Sequence, residues 1–262
     1  MPACFRQNTP FFGINGKRRH GQDPAGTVTP VPTGHPGTLL PMDLPTYCER
    51  TAHGLWAEPF NAVSNAAFLA AAWLAWRRWR AHPQASWRHQ PDLGGLILLV
   101  AAIGFGSLLW HTVARPWAYW MDALPIILFI HLFLLSFLWR MARLSWPAIL
   151  AVFLVYEGLT LGLLRVAPAG ALNDSVGYLP VLLSLWLMAL WLRFRAHPLG
   201  HRFLACGALF SASLGFRILD PALCHVLPVG THFLWHGLNG WVLYLLLAGL
   251  IRHGIPSTER HP

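Results

Sequence analysis

The chain has 262 residues, of which 55% are hydrophobic and 11% are charged, and its formal net charge is +9. This composition is too apolar for a soluble domain with a water-facing surface, so we expect an integral membrane protein. A charge this positive would suggest nucleic-acid binding in a soluble protein. Here the basic residues stand at the ends of apolar segments, which argues against a nucleic-acid partner.

Residues 1–41 differ in composition from the rest of the chain. They are rich in glycine and proline and show no hydrophobic periodicity, so we expect a disordered tail that cannot bury enough surface to fold. The tail also lacks the continuous apolar stretch of a signal peptide. Because a basic tail is poorly suited to the outer side of a membrane, we consider Met42 as an alternative start.

Apolar segments recur along the remainder, each near the ~20 residues that a helix needs to cross ~30 Å of hydrocarbon. They lack the alternating pattern of barrel strands, and backbone amides in lipid need internal partners, so we predict helices. The predicted fold class is all-α, a polytopic seven-transmembrane-helix bundle over residues 42–252 with a cytoplasmic tail at 253–262. The predicted spans are 60–76, 94–113, 118–139, 147–166, 177–192, 203–219 and 232–251.

The arginines indicate how these spans are oriented. Most arginines near the membrane follow spans one, three, five and seven, whereas only Arg50, Arg115, Arg165 and Arg217 lie on the other side. Because cytoplasmic loops carry an excess of basic residues, the N-terminus is predicted outside and the C-terminus in the cytoplasm.

The stretch GSLLWHTVARPWAYWMD (106–122) places polar side chains inside two apolar segments. Span two runs from the inside to the outside, so Ser107 and His111 lie in its outer half. Span three begins on the outside, so Asp122 lies in its first turn. A carboxylate at this depth is costly unless it is paired, solvated or beside a metal ion. We therefore expect all three side chains at one level near the outer boundary of the bilayer.

The last span opens with THFLWHGLNG (231–240), which places His232 and His236 four residues apart on one helical face. This span also begins on the outside, so both side chains lie at the depth of His111. Three neutral imidazoles from two helices, with a carboxylate nearby, are what a tetrahedral zinc site with one open position requires. Such an ion makes a water-derived nucleophile available at neutral pH.

The histidines and Ser107 are also compatible with roles outside a zinc site. A histidine at a helix end is more often a hydrogen-bonding interface residue than a ligand, and facing histidines also suit a membrane protein with bis-histidine haem. Ser107 would alternatively be a serine nucleophile of the intramembrane rhomboid type. However, the segment GFGSLL has no glycine directly after the serine, and that chemistry leaves Asp122 and two of the histidines without a role.

A third motif, YCERTAHGLWAEPFNAVSN (47–65), precedes span one. Together with the stretches at 106–122 and 231–240, it resembles the alkaline ceramidase family and its bacterial members, within the CREST superfamily of seven-helix membrane hydrolases that also includes the progestin and adiponectin receptors. The resemblance covers about 43–251, and its three motifs occur in the family's order.

The resemblance implies that His111, His232 and His236 are zinc ligands and that Ser107 and Asp122 are catalytic. It implies a hydrolase of linear amide C–N bonds that cleaves ceramide or a related N-acyl membrane lipid to a free fatty acid and an amine. The expected location is a bacterial inner (plasma) membrane, with the active site near the outer, periplasmic face. A metal-containing lipid receptor or binding protein without fast turnover is the alternative on the same fold.

The resemblance also implies a calcium ion held by Glu49 and Glu58. Carboxylates suit calcium, which takes six to eight oxygen ligands. This chain departs from the family pattern, because Thr46 and Thr51 replace an aspartate and an asparagine. Neutral replacements lower the ligand charge and should weaken calcium binding.

Two further pairs are predicted at the outer side. Cys48 and Cys224 are the cysteines placed there, and a disulfide between them would tie the segment before span one to the loop before span seven; the resemblance implies the same bond. Two free thiols are the alternative. Arg217 and Asp220, three residues apart, are predicted to form a helical ion pair.

Overall fold

The structure is a computed structural model that describes residues 47–51 and 54–255. The predicted tail at 1–41, the alternative start at Met42, the substituted Thr46 and residues 256–262 lie outside the described residues. All regular secondary structure within the two described ranges is helical, without a strand. The predicted all-α fold class is thereby confirmed.

Six helices of the described chain are long and apolar enough to cross a membrane, and they correspond to predicted spans two to seven. The helices are α1 (Pro59–Ser64), α2 (Ala66–Arg80), α3 (Pro91–Val113), α4 (Pro116–Arg140), α5 (Trp146–Val166), α6 (Leu179–Phe194, preceded by a 3-10 turn at Val176–Tyr178), α7 (Gly200–Leu223) and α8 (His232–His253). A proline occupies one of the first two positions in five of these helices, namely α1, α3, α4, α5 and α6. Backbone N–H groups at these positions have no acceptor within the helix, so proline, which lacks an N–H, costs no hydrogen bond there.

The first predicted span differs from expectation, because two helices occupy it. The 6 residues of α1 and the 15 residues of α2 meet at Asn65. The backbone N–H of Asn65 bonds the carbonyl of Ala62, and the N–H of Phe68 bonds the carbonyl of Asn65, so the hydrogen bonds tighten to a three-residue spacing at this point. The side chain of Asn65 also donates to the carbonyl of Asn61 at 2.8 Å. A polar turn therefore interrupts the apolar run.

Polar contacts between helices define the two ends of the bundle. At one end, called here the site end, Glu58 before α1 bonds His111 in the last turn of α3. At the opposite end, Asp92 in the first turn of α3 pairs with Arg140 in the last turn of α4 at 2.6 Å. Arg140 also donates to the carbonyl of Gly254 at 3.1 Å, which places the end of α8 there. Helices α3 and α8 lie in the middle of the bundle and α5 lies at its periphery.

Candidate metal centre

Three histidines meet at the site end. His111 comes from the last turn of α3, and His232 and His236 come from the first two turns of α8. Their ring centroids lie 4.7–5.2 Å apart, and one ligand atom of each lies within 4.8 Å of the others. None of the three is more than 2% exposed. The predicted convergence of these histidines is confirmed, and the cluster could hold a metal ion.

Glu58 fixes the ring of His111. Its fully buried carboxylate accepts a hydrogen bond from Nδ1 of His111 at 2.5 Å and one from Nδ2 of Asn61 at 2.9 Å. Burial raises the pKa of Glu58, but the hydrogen bonds from His111 and Asn61 and the charge of Arg50 outweigh burial and hold the pKa below its ordinary value. Because the ionised carboxylate accepts the Nδ1 proton, Nε2 of His111 keeps its lone pair for a metal ion.

The break between α1 and α2 fixes the ring of His236. Its Nδ1 lies 2.7 Å from Oγ of Ser64 and 3.1 Å from the carbonyl oxygen of Asn61. Ser64 donates its own hydroxyl proton to that carbonyl at 2.9 Å, so both oxygens accept from the ring. This arrangement places the proton of His236 on Nδ1 and leaves Nε2 as the free nitrogen. The polar turn that interrupts the first apolar run therefore orients the ring of His236.

Two ring nitrogens of the cluster are buried and have no hydrogen-bond partner within residues 47–51 and 54–255, namely Nε2 of His111 and Nδ1 of His232. An unsatisfied buried polar group costs about 1–3 kcal/mol, and native proteins leave few of them. A metal ion bound by the cluster would remove this cost, because the two nitrogens would then serve as ligands. Three imidazoles are a donor set that zinc accepts, so the residues fit this ion.

Asp220 positions the N-terminus of α8. Its Oδ1 accepts the backbone N–H groups of Thr231 and His232 at 2.5 and 2.9 Å, and its Oδ2 accepts the N–H of Cys48 at 3.1 Å. The predicted ion pair with Arg217 is wrong for these two described residues, because Asp220 is occupied by backbone donors and Arg217 donates to Ser175 at 3.0 Å. A carboxylate at a helix N-terminus is stabilised by the helix dipole, so Asp220 sets where His232 stands.

The disulfide between Cys48 and Cys224 is present, which confirms its prediction. It ties the segment before α1 to the end of α7. Gly230 completes this corner with a φ of +70°, and a Cβ there would overlap the Asp220 carboxylate. The chain before α1 is thereby held against the start of α8.

Ser107 and Asp122 lie beside the cluster on adjacent helices. Ser107 is 3% exposed and stands one turn before His111, and its hydroxyl is within hydrogen-bonding reach of the Asp122 side chain. Oδ1 of Asp122 is buried without a hydrogen-bond partner among the described residues. A carboxylate oxygen in this position is available to accept a proton from a bound molecule.

Gly106 permits this approach of α3 to α4. A Cβ on Gly106 would overlap the carbonyl oxygen of Met121 and lie 3.0 Å from the backbone nitrogen of Asp122. Only a residue without a side chain lets the two backbones come this close, so Gly106 sets the distance between Ser107 and Asp122.

The substitution Gly106→Ala is expected to lower the free energy of unfolding by about 1–3 kcal/mol, because α4 must shift to admit the methyl group. Its metal content should change little, because Asp122 moves while the histidines stay on α3 and α8. Thermal unfolding and metal analysis in detergent check both effects. Gly158→Ala is the matched control, because a Cβ there meets nothing within 4 Å. Equal behaviour of the two variants would contradict the packing argument.

Tyr47 lies against two of the histidines. Its ring centroid is 4.2 Å from that of His232 and 5.0 Å from that of His111. The indole N–H of Trp110 donates to its hydroxyl at 3.5 Å. Tyr47 therefore covers one side of the cluster and limits its contact with water.

The two acidic residues predicted to bind calcium accept hydrogen bonds from the protein. Glu49 accepts the backbone N–H groups of Phe60 and Asn61 at 2.6 and 2.8 Å. Partial burial raises the pKa of Glu49 above its ordinary value although both N–H groups lower it. Glu58 bonds His111 and Asn61 as described above, and Nε of Arg50 donates to its other oxygen. Both carboxylates thus have protein partners.

An apolar cavity lies next to the cluster, deeper in the bundle. Phe68 and Trp235 line it near the site end, and the ring of Phe68 lies 6.0 Å from that of His236. Ile103, one turn before Ser107, lines the same cavity, together with Phe129 and Tyr178. Phe68 therefore adjoins both the cavity and His236.

Sequence reasoning missed most of the groups that surround the histidines. Tyr47, Arg50 and Ser64 all belong to the motif at 47–65, which is the signal that could have found them. Their contacts run to α3 and α8, far away in the chain, so no local spacing reveals them.

No protein-family model and no curated protein matches the chain.

Proposed function

We propose that the chain is a zinc-dependent intramembrane hydrolase of the ceramidase type, which cleaves the amide bond of ceramide or a related N-acyl lipid. The observation that carries the proposal is the buried cluster of His111, His232 and His236, with its ligand atoms within 4.8 Å of one another. Soluble zinc hydrolases use the same kind of donor set, with three protein ligands and one open position. An acid, a hydroxyl and an apolar cavity beside the cluster favour amide hydrolysis of a lipid.

The proposal includes seven membrane crossings. Helices α1 and α2 together span 59–80 and would form the first crossing, since neither is long enough alone. The last turns of α2, α4, α6 and α8 carry arginines, which supports a cytoplasmic location for the opposite end and for the C-terminus. The site end would then face the outside, near the outer surface of a bacterial inner membrane.

Exposed aromatic side chains support an interfacial position of the site end. Trp56, Phe60, Trp117 and Trp120 are each more than half exposed and lie at the beginnings of α1 and α4. Trp and Tyr side chains concentrate where the bilayer meets water. A lipid that already resides in the bilayer would reach the histidines laterally between helices, with its acyl chain in the apolar cavity.

His111, His232 and His236 would hold the zinc ion, which supplies a Lewis acid that activates water and polarises the amide carbonyl. Asp122 accepts the proton that the attacking water loses and delivers it to the departing amine. Ser107 donates a hydrogen bond to the developing oxyanion or orients the attacking water. Tyr47 and the surrounding apolar side chains exclude bulk water and so strengthen these interactions.

The test is incubation of the purified protein with a panel of N-acyl lipids, with glycerophospholipid esters as the control, followed by mass spectrometry of the products. We expect free fatty acid and an equimolar amine from at least one N-acyl lipid, and about one zinc ion per chain by elemental analysis. Zinc without any release from N-acyl lipids would instead indicate a lipid receptor on this scaffold. A Soret band in the visible spectrum would instead indicate that the histidines bind haem.

A further inference from the structure

We propose that Arg50 takes the place of the calcium ion that the ceramidase resemblance implies, so that an internal guanidinium group holds Glu58 and, through it, His111. Arg50 is then a positioning residue for the zinc site, and the protein needs no calcium. This inference rests on the metal-binding part of the proposed function and is independent of the substrate.

Arg50 bridges the segment before α1 and the end of α3. Its Nε donates to Oε1 of Glu58, and its Nη2 donates to the carbonyl oxygen of His111 at 3.0 Å. The side chains of Arg50 and Glu58 are 1% and 0% exposed. One guanidinium group therefore contacts both the backbone of a zinc ligand and the carboxylate that fixes the ring of that ligand.

The electrostatic reason is the buried charge of Glu58. A carboxylate removed from water needs an opposite charge and hydrogen-bond donors, or its burial destabilises the fold. A calcium ion would supply this positive charge, and in this chain the guanidinium group of Arg50 supplies it. The planar guanidinium also has donors at fixed angles, so it orients the carboxylate as a bound ion would.

The donor arrangement leaves little for calcium to bind. Both oxygens of Glu58 accept N–H groups, from Arg50 on one side and from His111 and Asn61 on the other. Both oxygens of Glu49 accept backbone N–H groups. Among the described residues, the amide oxygens of Asn61 and Asn65 are buried without a partner, but two neutral oxygens fall far short of the six to eight that calcium takes. A divalent ion at Glu58 would also face the charge of Arg50.

The consequence concerns zinc affinity. The acceptor behind a metal-binding histidine fixes its ring and raises its basicity, and loss of such an acceptor lowers metal affinity about 10–100-fold. Removal of Arg50 frees Glu58 to rotate away from His111, so the substitution Arg50→Gln is expected to weaken zinc binding by this factor. Arg50→Lys keeps the positive charge but loses the planar set of guanidinium N–H donors. Its zinc affinity should therefore lie between that of Arg50→Gln and that of wild type.

The experiment measures metals and stability, without any substrate. Wild type, Arg50→Gln, Arg50→Lys and Arg165→Gln are prepared in buffer freed of calcium by a chelating resin. Zinc and calcium per chain are measured by elemental analysis, and zinc affinity is measured by competition with a chromogenic zinc chelator. Thermal unfolding is followed with and without millimolar calcium chloride. Arg165, an exposed arginine in the last turn of α5, is the matched control.

We expect wild type and Arg165→Gln to contain zinc but no stoichiometric calcium, and their unfolding temperatures to be unchanged by added calcium. Arg50→Gln should unfold at a lower temperature and regain part of the loss when calcium is added, because the ion compensates Glu58. Stoichiometric calcium in wild type would overturn the proposal, whether or not the variants fold. So would an Arg50→Gln variant that matches the control in zinc affinity. Absence of zinc from wild type would count against the proposed function, while the calcium and unfolding data would still decide the role of Arg50.

Discussion

His236→Ala is expected to contain almost no zinc and to release no detectable fatty acid from any lipid that wild type cleaves. His236 is 2% exposed, and its Nδ1 is held by Asn61 and Ser64, so its Nε2 is the nitrogen left for the ion. With two ligands in place of three, the remaining site is too weak to retain zinc through purification. Elemental analysis and the fatty-acid assay measure the two losses on one preparation.

His225→Ala is the control for this variant, because His225 is an exposed histidine in the loop between α7 and α8 at the same end of the bundle. It should keep wild-type zinc and wild-type turnover. An intact Cys48–Cys224 disulfide in His236→Ala would show that the site end has formed, so that metal loss is not a consequence of misfolding. Full zinc content in His236→Ala would remove this histidine from the site and with it the proposed hydrolase.

Asp122→Asn separates metal binding from chemistry. The amide has the shape of the carboxylate but cannot accept a proton, so the variant should keep its zinc and lose about 10²–10⁴-fold in turnover, the usual contribution of a general base. The structure gives a reason to expect retained metal, because Asp122 lies beside the three-histidine group without being one of its members. Metal analysis and initial rates of fatty-acid release provide the comparison.

Asp174→Asn, in the loop between α5 and α6, is the corresponding control and should leave both zinc content and rate unchanged. Two results would contradict the role assigned to Asp122. Retained turnover would show that another group accepts the proton, and loss of zinc would show that Asp122 supports the metal site itself.

A parallel Ser107→Ala variant should lose less turnover than Asp122→Asn, since water replaces a single hydrogen bond to the oxyanion more easily than it replaces a general base.

The sequence by itself determined the helical membrane architecture and the identity of the clustered histidines. Apolar runs near the length of a bilayer crossing have only one common solution in lipid, because backbone amides must be satisfied within each segment. The depth of each polar residue follows from its position along its helix. The convergence of His111 with His232 and His236 could therefore be predicted without knowing how α3 and α8 pack.

Only the tertiary structure decided what surrounds those histidines. The pairing of Glu58 with Arg50, the bonds from Asn61 and Ser64 to His236, and the use of Asp220 by backbone donors all join segments that are distant in the chain or separated by an irregular turn. The depth of a residue and its helical face do not specify such contacts. The contacts depend on the rotation of each helix and on the path of the segment before α1. The apparent calcium ligands illustrate this limit: two glutamates fit a motif, but whether their oxygens are free depends on a neighbouring arginine whose direction the sequence does not state.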